Sequence, residues 1–271
     1  MNAGRRIVIR CLISAIVPLV IGCGGGRDAG GAQPKSAPLP VASGAARPGE
    51  PMKWTGHVAA GRSMEVRTIG GSIHVTAATG DIGEIEAKVH DGDPGSAPSI
   101  RFTEDERGVV ARVETHEHGC GCDRVSHDAA VDFEVRVPAG VRLVARTVQG
   151  GIDVDGVGSP IDAHTVEGGI TIKAARSARA RTVNGSITAS FKGADLDSDT
   201  EIETVNGPVQ VSLPAGANAQ LVASTLNGEV HVGFPIEGST ESRRAHGTIG
   251  RGGRQLRLRT VNGTINVSRG S

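Results

Sequence analysis

Apolar and polar residues alternate along most of this chain in short runs broken by glycine, the period-2 pattern of strands half-buried in a sheet. One phrase returns seven times within that pattern: "TIGGSI", "TVQGGI", "TVEGGI", "TVNGSI", "TVNGPV", "TLNGEV" and "TVNGTI", beginning at Thr68, Thr147, Thr165, Thr182, Thr204, Thr225 and Thr260. From Thr147 to Thr225 the steps are 18, 17, 22 and 21 residues, and the last gap of 35 has room for two units. A unit recurring about every 20 residues marks a repeat or solenoid architecture.

Asn-Gly between β-branched residues ordinarily signals a hairpin. A two-residue turn at Asn184-Gly185 fails on its side chains, because it pairs Val183 with Ser186 and Thr182 with Ile187 and mixes apolar with polar on both faces. Reading straight through the glycine, Val183, Gly185, Ile187 and Ala189 share one parity, as do Leu226, Gly228, Val230 and Val232. This assigns the glycine, and the aliphatic residue after Thr, to the interior. The arm before each phrase, such as Leu221 and Ala223 or Leu256 and Leu258, is out of phase by one, which puts a corner or bulge at Arg-Thr. Two strands per unit around a shared interior describe a coil of a β-solenoid, with Thr stacked on Thr and Asn on Asn. An antiparallel meander turning at Thr-Val is the alternative. It pairs Leu221 with Val230 and Leu256 with Ile265, but it sets β-branched residues where turns favour Gly or Asn. The stretch from Trp54 to about Val137 is less regular. There "SIRFTEDERGVVARVET" reads as two strands around a polar turn, and the whole reads as opening coils that cap the stack.

Composition sharpens the interior and the address. With one Trp, four Phe, no Tyr and 40 Gly, the core must be filled by Val, Ile, Leu and Ala. The expected fold class is all-β, a single-domain β-solenoid (parallel β-helix-like) over residues 53–271, after a signal peptide and a disordered tether. Residues 1–22 have a basic start (Arg5, Arg6, Arg10) and the apolar run "CLISAIVPLVIG", shorter than the roughly 20 residues of a bilayer span. "VIGC" resembles a bacterial lipobox, which implies that Cys23 becomes the lipid-bearing N-terminus; an ordinary secretory leader is the alternative. On the same resemblance Gly24 implies an outer-membrane lipoprotein, periplasmic or surface-facing. Residues 23–52 are the lipidated Cys and a Gly/Ala/Pro-rich linker that cannot bury enough apolar surface to offset ordering. Without the leader's three Arg, 26 basic residues face 29 acidic ones, so there is no basic field for nucleic acid, and membrane contact rests on the lipid anchor.

The densest chemistry is "HEHGCGCDRVSHD", residues 116–128. His116, His118, Cys120, Cys122 and His127 are apt ligands for Zn²⁺ or Cu⁺, yet Cys-x-Cys is not the Cys-x₂-Cys spacing of zinc folds. In an oxidising envelope Cys120 and Cys122 are expected to pair as a local disulfide, with metal binding and free thiols as alternatives. Asp195, Asp197 and Asp199 suggest Ca²⁺, but Thr200 occupies the position an EF-hand gives to Gly, and a solvated bend is expected. Asp153, Asp155 and Asp162 are the carboxylates a glycan-active β-helix enzyme would draw on, and nothing in their spacing distinguishes them from outward strand positions. No catalytic residue, metal or cofactor is assigned.

"VDFEVRVPAGVRLVARTVQGGIDV", "VSLPAGANAQLVASTLNGEVHVGFP" and "LRLRTVNGTINV" together resemble the bacterial "putative adhesin" family, a cell-envelope domain of unknown function with repeated T-x-N-G-x-I elements. The resemblance covers most of the chain after the linker and implies a β-solenoid-like fold and an envelope location. It supplies no catalytic residues. The expected function is that of a non-catalytic cell-envelope lipoprotein, a scaffold or adhesin-like binding surface for an envelope protein or glycan. Two alternatives stand beside it: metal binding or sensing through the 116–128 loop, and a glycan-active β-helix enzyme.

Overall fold

Each copy of the phrase is a corner at which the chain leaves one sheet and enters a second that faces it. The computed structural model describes residues 39–45, 50–90, 98–114 and 130–270, and among these the only regular elements are strands. Two edge strands come first, β1 (Leu39–Ala45) and β2 (Met52–His57). Then β3 (Ser63–Arg67) and β4 (Ile73–Ala77) make a coil, one strand in each sheet, followed by β5 (Ile82–Val89). The hairpin expected from "SIRFTEDERGVVARVET" is β6 (Ser99–Asp105) and β7 (Gly108–Glu114), turning at Glu106-Arg107. The chain then reaches the other sheet as β8 (Val131–Val137). Four regular coils follow: β9 (Arg142–Arg146) with β10 (Ile152–Asp155), and β11 (Ile161–His164) with β12 (Ile170–Ala175); then β13 (Ala178–Asn184) with β14 (Ile187–Phe191), and β15 (Thr200–Asn206) with β16 (Val209–Leu213). After the coil β17 (Ala219–Asn227) and β18 (Val230–Val232) come β19 (Ile236–Thr240) and β20 (Arg244–Ile249). The last coil is β21 (Gln255–Asn262) and β22 (Ile265–Arg269).

Coils stack in parallel and in register. Thr182 lies beside Thr204, Thr204 beside Thr260, and Thr260 beside Thr225, while Asn184, Asn206, Asn262 and Asn227 follow the same order. The strands on either side of a corner lie in different sheets, so the antiparallel meander over Thr-Val does not form, and the β-solenoid does. Stack order departs from chain order at both ends. The first sheet runs β1-β6-β7-β3-β9-β11-β13-β15-β21-β17-β20-β19, and the second runs β18-β22-β16-β14-β12-β10-β4-β8-β5-β2. The C-terminal coil β21/β22 is therefore inside the stack, held between β15/β16 and β17/β18. The 35-residue gap before it holds not two coils but the antiparallel β19–β20 hairpin, which covers β17 from Ala219↔Ile249 to Ser224↔Arg244. That hairpin is the C-terminal cap, for which the sequence offered no signal. At the other end β6 and β1 close one sheet, and β5 and β2 the other, all antiparallel to their neighbours. β1 falls within the stretch expected to be linker. Its pairing with β6 requires only extended backbone, so its composition gave no warning.

The interior is built of aliphatic columns. Ile73, Ile152, Ile170, Ile187, Val209, Ile265 and Val230 stack along the second sheet, opposite Met64, Leu143, Ile161, Leu256 and Leu221 of the first, and all are buried. Each contributes on the order of 1.5–3 kcal/mol by leaving water. The few aromatic side chains lie mostly toward the ends: Trp54, Phe102 and Phe133 at one, Phe234 at the other.

Candidate functional site

The corner differs from the parity reading in a way that decides what the surface presents. All seven Thr residues are buried, at 0–7% exposure, while the aliphatic residue after six of them is exposed: Ile69, Val148, Val183, Val205 and Val261 are 36–43% exposed and Leu226 is 61%, with Val166 half-buried. Inward parity continues from Ala180 to Thr182 and resumes at Ile187, so the phase slip falls on Val-Asn-Gly-Ser rather than at Arg-Thr. Thr is tolerated inside because its hydroxyl is satisfied. Thr165, Thr182, Thr204, Thr260 and Thr225 each donate to a glycine carbonyl of the neighbouring coil, Gly150, Gly168, Gly185, Gly207 and Gly263, at 2.9–3.1 Å.

The glycine does not point into the aliphatic interior, as expected, but along the stack. A Cβ on Gly150, Gly168, Gly185, Gly207 or Gly263 would lie 2.0–2.1 Å from the carbonyl oxygen of the preceding glycine in the column. Those carbonyls include the ones the Thr hydroxyls bind. On its other side each glycine amide donates to the next coil, as in Gly168 N–H to Asn184 O and Gly185 N–H to Asn206 O, both 2.9 Å. Close approach of backbones, rather than a bend, is what excludes a side chain here.

Three tracks therefore run along one flank, over different lengths of it. The first is an amide ladder: Asn206 donates to Asn184 Oδ1, Asn262 to Asn206 and Asn227 to Asn262, at 2.7–2.8 Å. The second is the exposed aliphatic stripe. The third, just before the buried Thr in the coils and continued in register onto β7 and β6, is a row of first-sheet residues facing water: Arg101, Arg112, Arg67, Arg146, His164, Arg181, Glu203 and Arg259, in stack order. Between the second and third tracks lies a groove of about 280 Å³ lined by His164, Arg181, Val183, Glu203, Arg259 and Val261, among others. Glu203 bridges Arg181 at 3.2 Å and Arg259 at 4.0 Å across it.

The residues singled out from sequence go elsewhere. Asp153 is 3.5 Å from His74 on the outer face of the second sheet, and Asp162 is 3.3 Å from Arg142 on that of the first, so these carboxylates serve separate cross-strand pairs. Asp155 points to solvent on β10. Asp195 accepts from Asn218, Asp199 from the Gln255 amide, and Asp197 takes Arg176 in a two-oxygen contact at 2.8 and 3.0 Å. The hydrogen bond from Arg176 to Asp197 holds that guanidinium above its ordinary pKa. The three aspartates thus latch successive coils and do not converge. Cys23 and the whole of 116–128, with Cys120 and Cys122, lie outside the described residues, and no group of three or more metal-ligating side chains occurs among the described ones. The arginine row went unnoticed in the sequence because register neighbours within it, from Arg101 to Arg181, are 11 to 79 residues apart. Its signal was present as the recurring Arg before Thr at Arg67, Arg146, Arg181 and Arg259.

Stacked parallel coils with a glycine–threonine spine define a β-solenoid of the two-sheet kind. Residues 141–268, the coils from β9 to β22, match the family described as Toastrack DUF4097. No curated protein matches the chain. Among solved structures it is similar to a "putative cell adhesion protein" from Clostridium sporogenes, with 12% identity over 82% of this chain and 100% of that one and a TM-score of 0.47. It is also similar to a "putative adhesin" from Bacteroides fragilis (9% identity, 82% and 97% coverage, TM-score 0.27) and one from Parabacteroides merdae (10%, 82% and 97%, TM-score 0.25).

Proposed function

We propose that this chain is a non-catalytic lipoprotein of the cell envelope, anchored in the outer membrane through Cys23, whose solenoid flank is a binding surface for an extended envelope partner. The observation that carries this reading is the flank itself: an aliphatic stripe joined by the cationic row on β6 to β13 and by the amide ladder on β13 to β17, with register kept from strand to strand. A surface that repeats along one axis matches a partner that is long in one direction better than it matches a small substrate. Of the aspartates that an enzyme of this shape would draw on, Asp153 and Asp162 are occupied in cross-strand pairs on outer faces and Asp155 stands apart from both on β10. The export leader and lipobox resemblance support the address, and a linker after Cys23 would let the solenoid reach a partner away from the bilayer.

Two measurements test this. Substituting Cys23→Ala should move the protein from the membrane to the soluble fraction of the envelope; retention in the membrane would remove the anchor. Crosslinked envelopes should yield a glycan or protein attached to the flank, with capture lost when Val148, Val183 and Val205 are changed together to Glu. Undiminished capture by that variant would place the binding surface elsewhere.

A further inference from the structure

Rows of outward residues on a sheet ordinarily alternate sign, because like charges directly opposite one another destabilise it. The row three positions before the Thr column follows this rule on the first sheet. It reads Glu65, Val144, Asp162, Arg179, Glu201, Arg257 across six adjoining strands. The row next to the Thr column does not. Arg101, Arg112, Arg67, Arg146, His164 and Arg181 are direct register partners on six adjoining strands, with no acid among them until Glu203. At about 4.8 Å between strands the six span about 24 Å.

The protein compensates part of this charge from neighbouring positions. Arg101 meets Glu114 at 2.9 Å, Arg67 meets Glu65 at 2.5 Å, and Arg181 meets Glu201 at 2.7 Å. Among the described residues no carboxylate lies within ion-pair distance of Arg112 or Arg146, which flank Arg67 on its two sides. Because acidic and basic residues are equal in number over the chain, this is a local feature and not a share of a general positive charge.

We infer that this row binds a linear acidic polysaccharide, laid across the strands along the stack axis, with its carboxylates on the arginine guanidinium groups and its sugar C–H faces on the aliphatic stripe. The inference rests on the binding-surface reading above and names its ligand class. Guanidinium matches carboxylate in a two-bond fork, and cations repeated at strand spacing suit an anion repeated along a polymer. The aliphatic stripe, with Ile69, Val148 and Val183 exposed and Val166 half-buried, runs beside the four members of the row from Arg67 to Arg181. Nucleic acid fits less well: single strands are held by stacking on aromatic side chains, and Trp54, Phe102, Phe133, Phe191 and Phe234 are all buried. A protein partner would want aromatic anchors and pockets, where this flank offers shallow, evenly repeated positions.

The test uses the full chain and polygalacturonate oligomers, with dextran as the neutral polymer and poly-L-glutamate and single-stranded DNA as other polyanions. Calorimetry should show polygalacturonate binding that weakens as salt rises, and no heat with dextran. The double variant Arg112→Gln/Arg146→Gln should lose at least about tenfold in affinity, since each arginine supplies charge-assisted hydrogen bonds. Its unchanged circular dichroism and thermal midpoint at or above wild type would show that the loss is not one of folding. The inference is overturned by absence of polygalacturonate binding at low salt, by a double variant that binds as wild type does, or by tighter binding of poly-L-glutamate or DNA. If envelope capture by the flank persists while polygalacturonate fails, the ligand class is wrong and the binding-surface reading stands. If both fail, both fall.

Discussion

At the residue scale, the stack is held by a glycine carbonyl that serves two neighbours at once. Gly168 O accepts the Thr182 hydroxyl at 3.0 Å, and a Cβ on Gly185 would sit 2.0 Å from the same atom. Replacing Gly185 by Ala forces the coils apart and should cost about 3 kcal/mol or more. Gly216→Ala, where nothing lies within 4 Å of the added carbon, should stay within about 0.5 kcal/mol. Urea denaturation of the two variants checks this, and equal midpoints would mean that the backbones are not in close approach. Thr182→Val keeps the shape and removes the donor, and should cost about 1–2 kcal/mol through the orphaned carbonyl. Val183→Thr and Ile187→Thr separate the two possible faces of the corner. The first changes an exposed side chain and should be nearly silent, within about 0.5 kcal/mol; the second buries a hydroxyl in the aliphatic column at a cost of about 2 kcal/mol or more. The reverse ranking would restore the parity in which Val faces inward.

At the scale of the element, the C-terminal coil acts as a keystone. In a plain solenoid the last coil is an end, and its loss shortens the stack without disturbing the rest. Here β21 pairs with β15 on one side and β17 on the other, and β22 likewise with β16 and β18. Ending the chain at Gly253 should therefore release everything from β17 to β20, although none of it has been removed. Hydrogen exchange should show lost protection at Leu221 and Ala245 with protection retained at Ala163 and Ile170. Gly263→Ala should do the same more gently, because its Cβ would meet Gly207 O at 2.0 Å. Retained protection across β17–β20 in both variants would mean that the inserted coil is not what attaches them. This insertion was not legible in the sequence, and the reason is physical. The coils at Thr225 and Thr260 carry the same Thr, Asn and Gly and similar aliphatic residues, so either satisfies the register of the coil at Thr204. What was legible was the existence of a coil per phrase, since only parallel in-register stacking puts one phrase on the next. The inside and outside of the corner were misread because Thr counts as polar by composition, whereas here its one donor finds a carbonyl and the residue is buried. Of the candidate flank, the Asn ladder could be foreseen from the phrase alone; the exposed aliphatic stripe and the arginine row could not, because both depend on where the phase slips.

For the whole molecule, the arginine row sets stability against binding, and salt should separate the two. Arg112, Arg67 and Arg146 on adjoining strands repel one another, and only Arg67 has a carboxylate within ion-pair distance among the described residues. Removing the two uncompensated charges in Arg112→Gln/Arg146→Gln should stabilise the fold at low ionic strength by about 0.5–1 kcal/mol. For a chain of this size that is a rise in Tm of about 1–4 °C. At about 0.5 M salt, where the Debye length falls well below the spacing of alternate coils, the advantage should shrink toward zero, because screening gives the wild type the same relief. Wild-type Tm should accordingly climb with salt more steeply than that of the double variant, while binding to an acidic polymer declines over the same range. A structural role for the row makes the opposite prediction: the double variant would melt lower than wild type at every salt concentration. Charges that lower stability where they stand, and that a Gln would relieve without disturbing a buried group, are the mark of a surface kept for what it holds rather than for what it holds together.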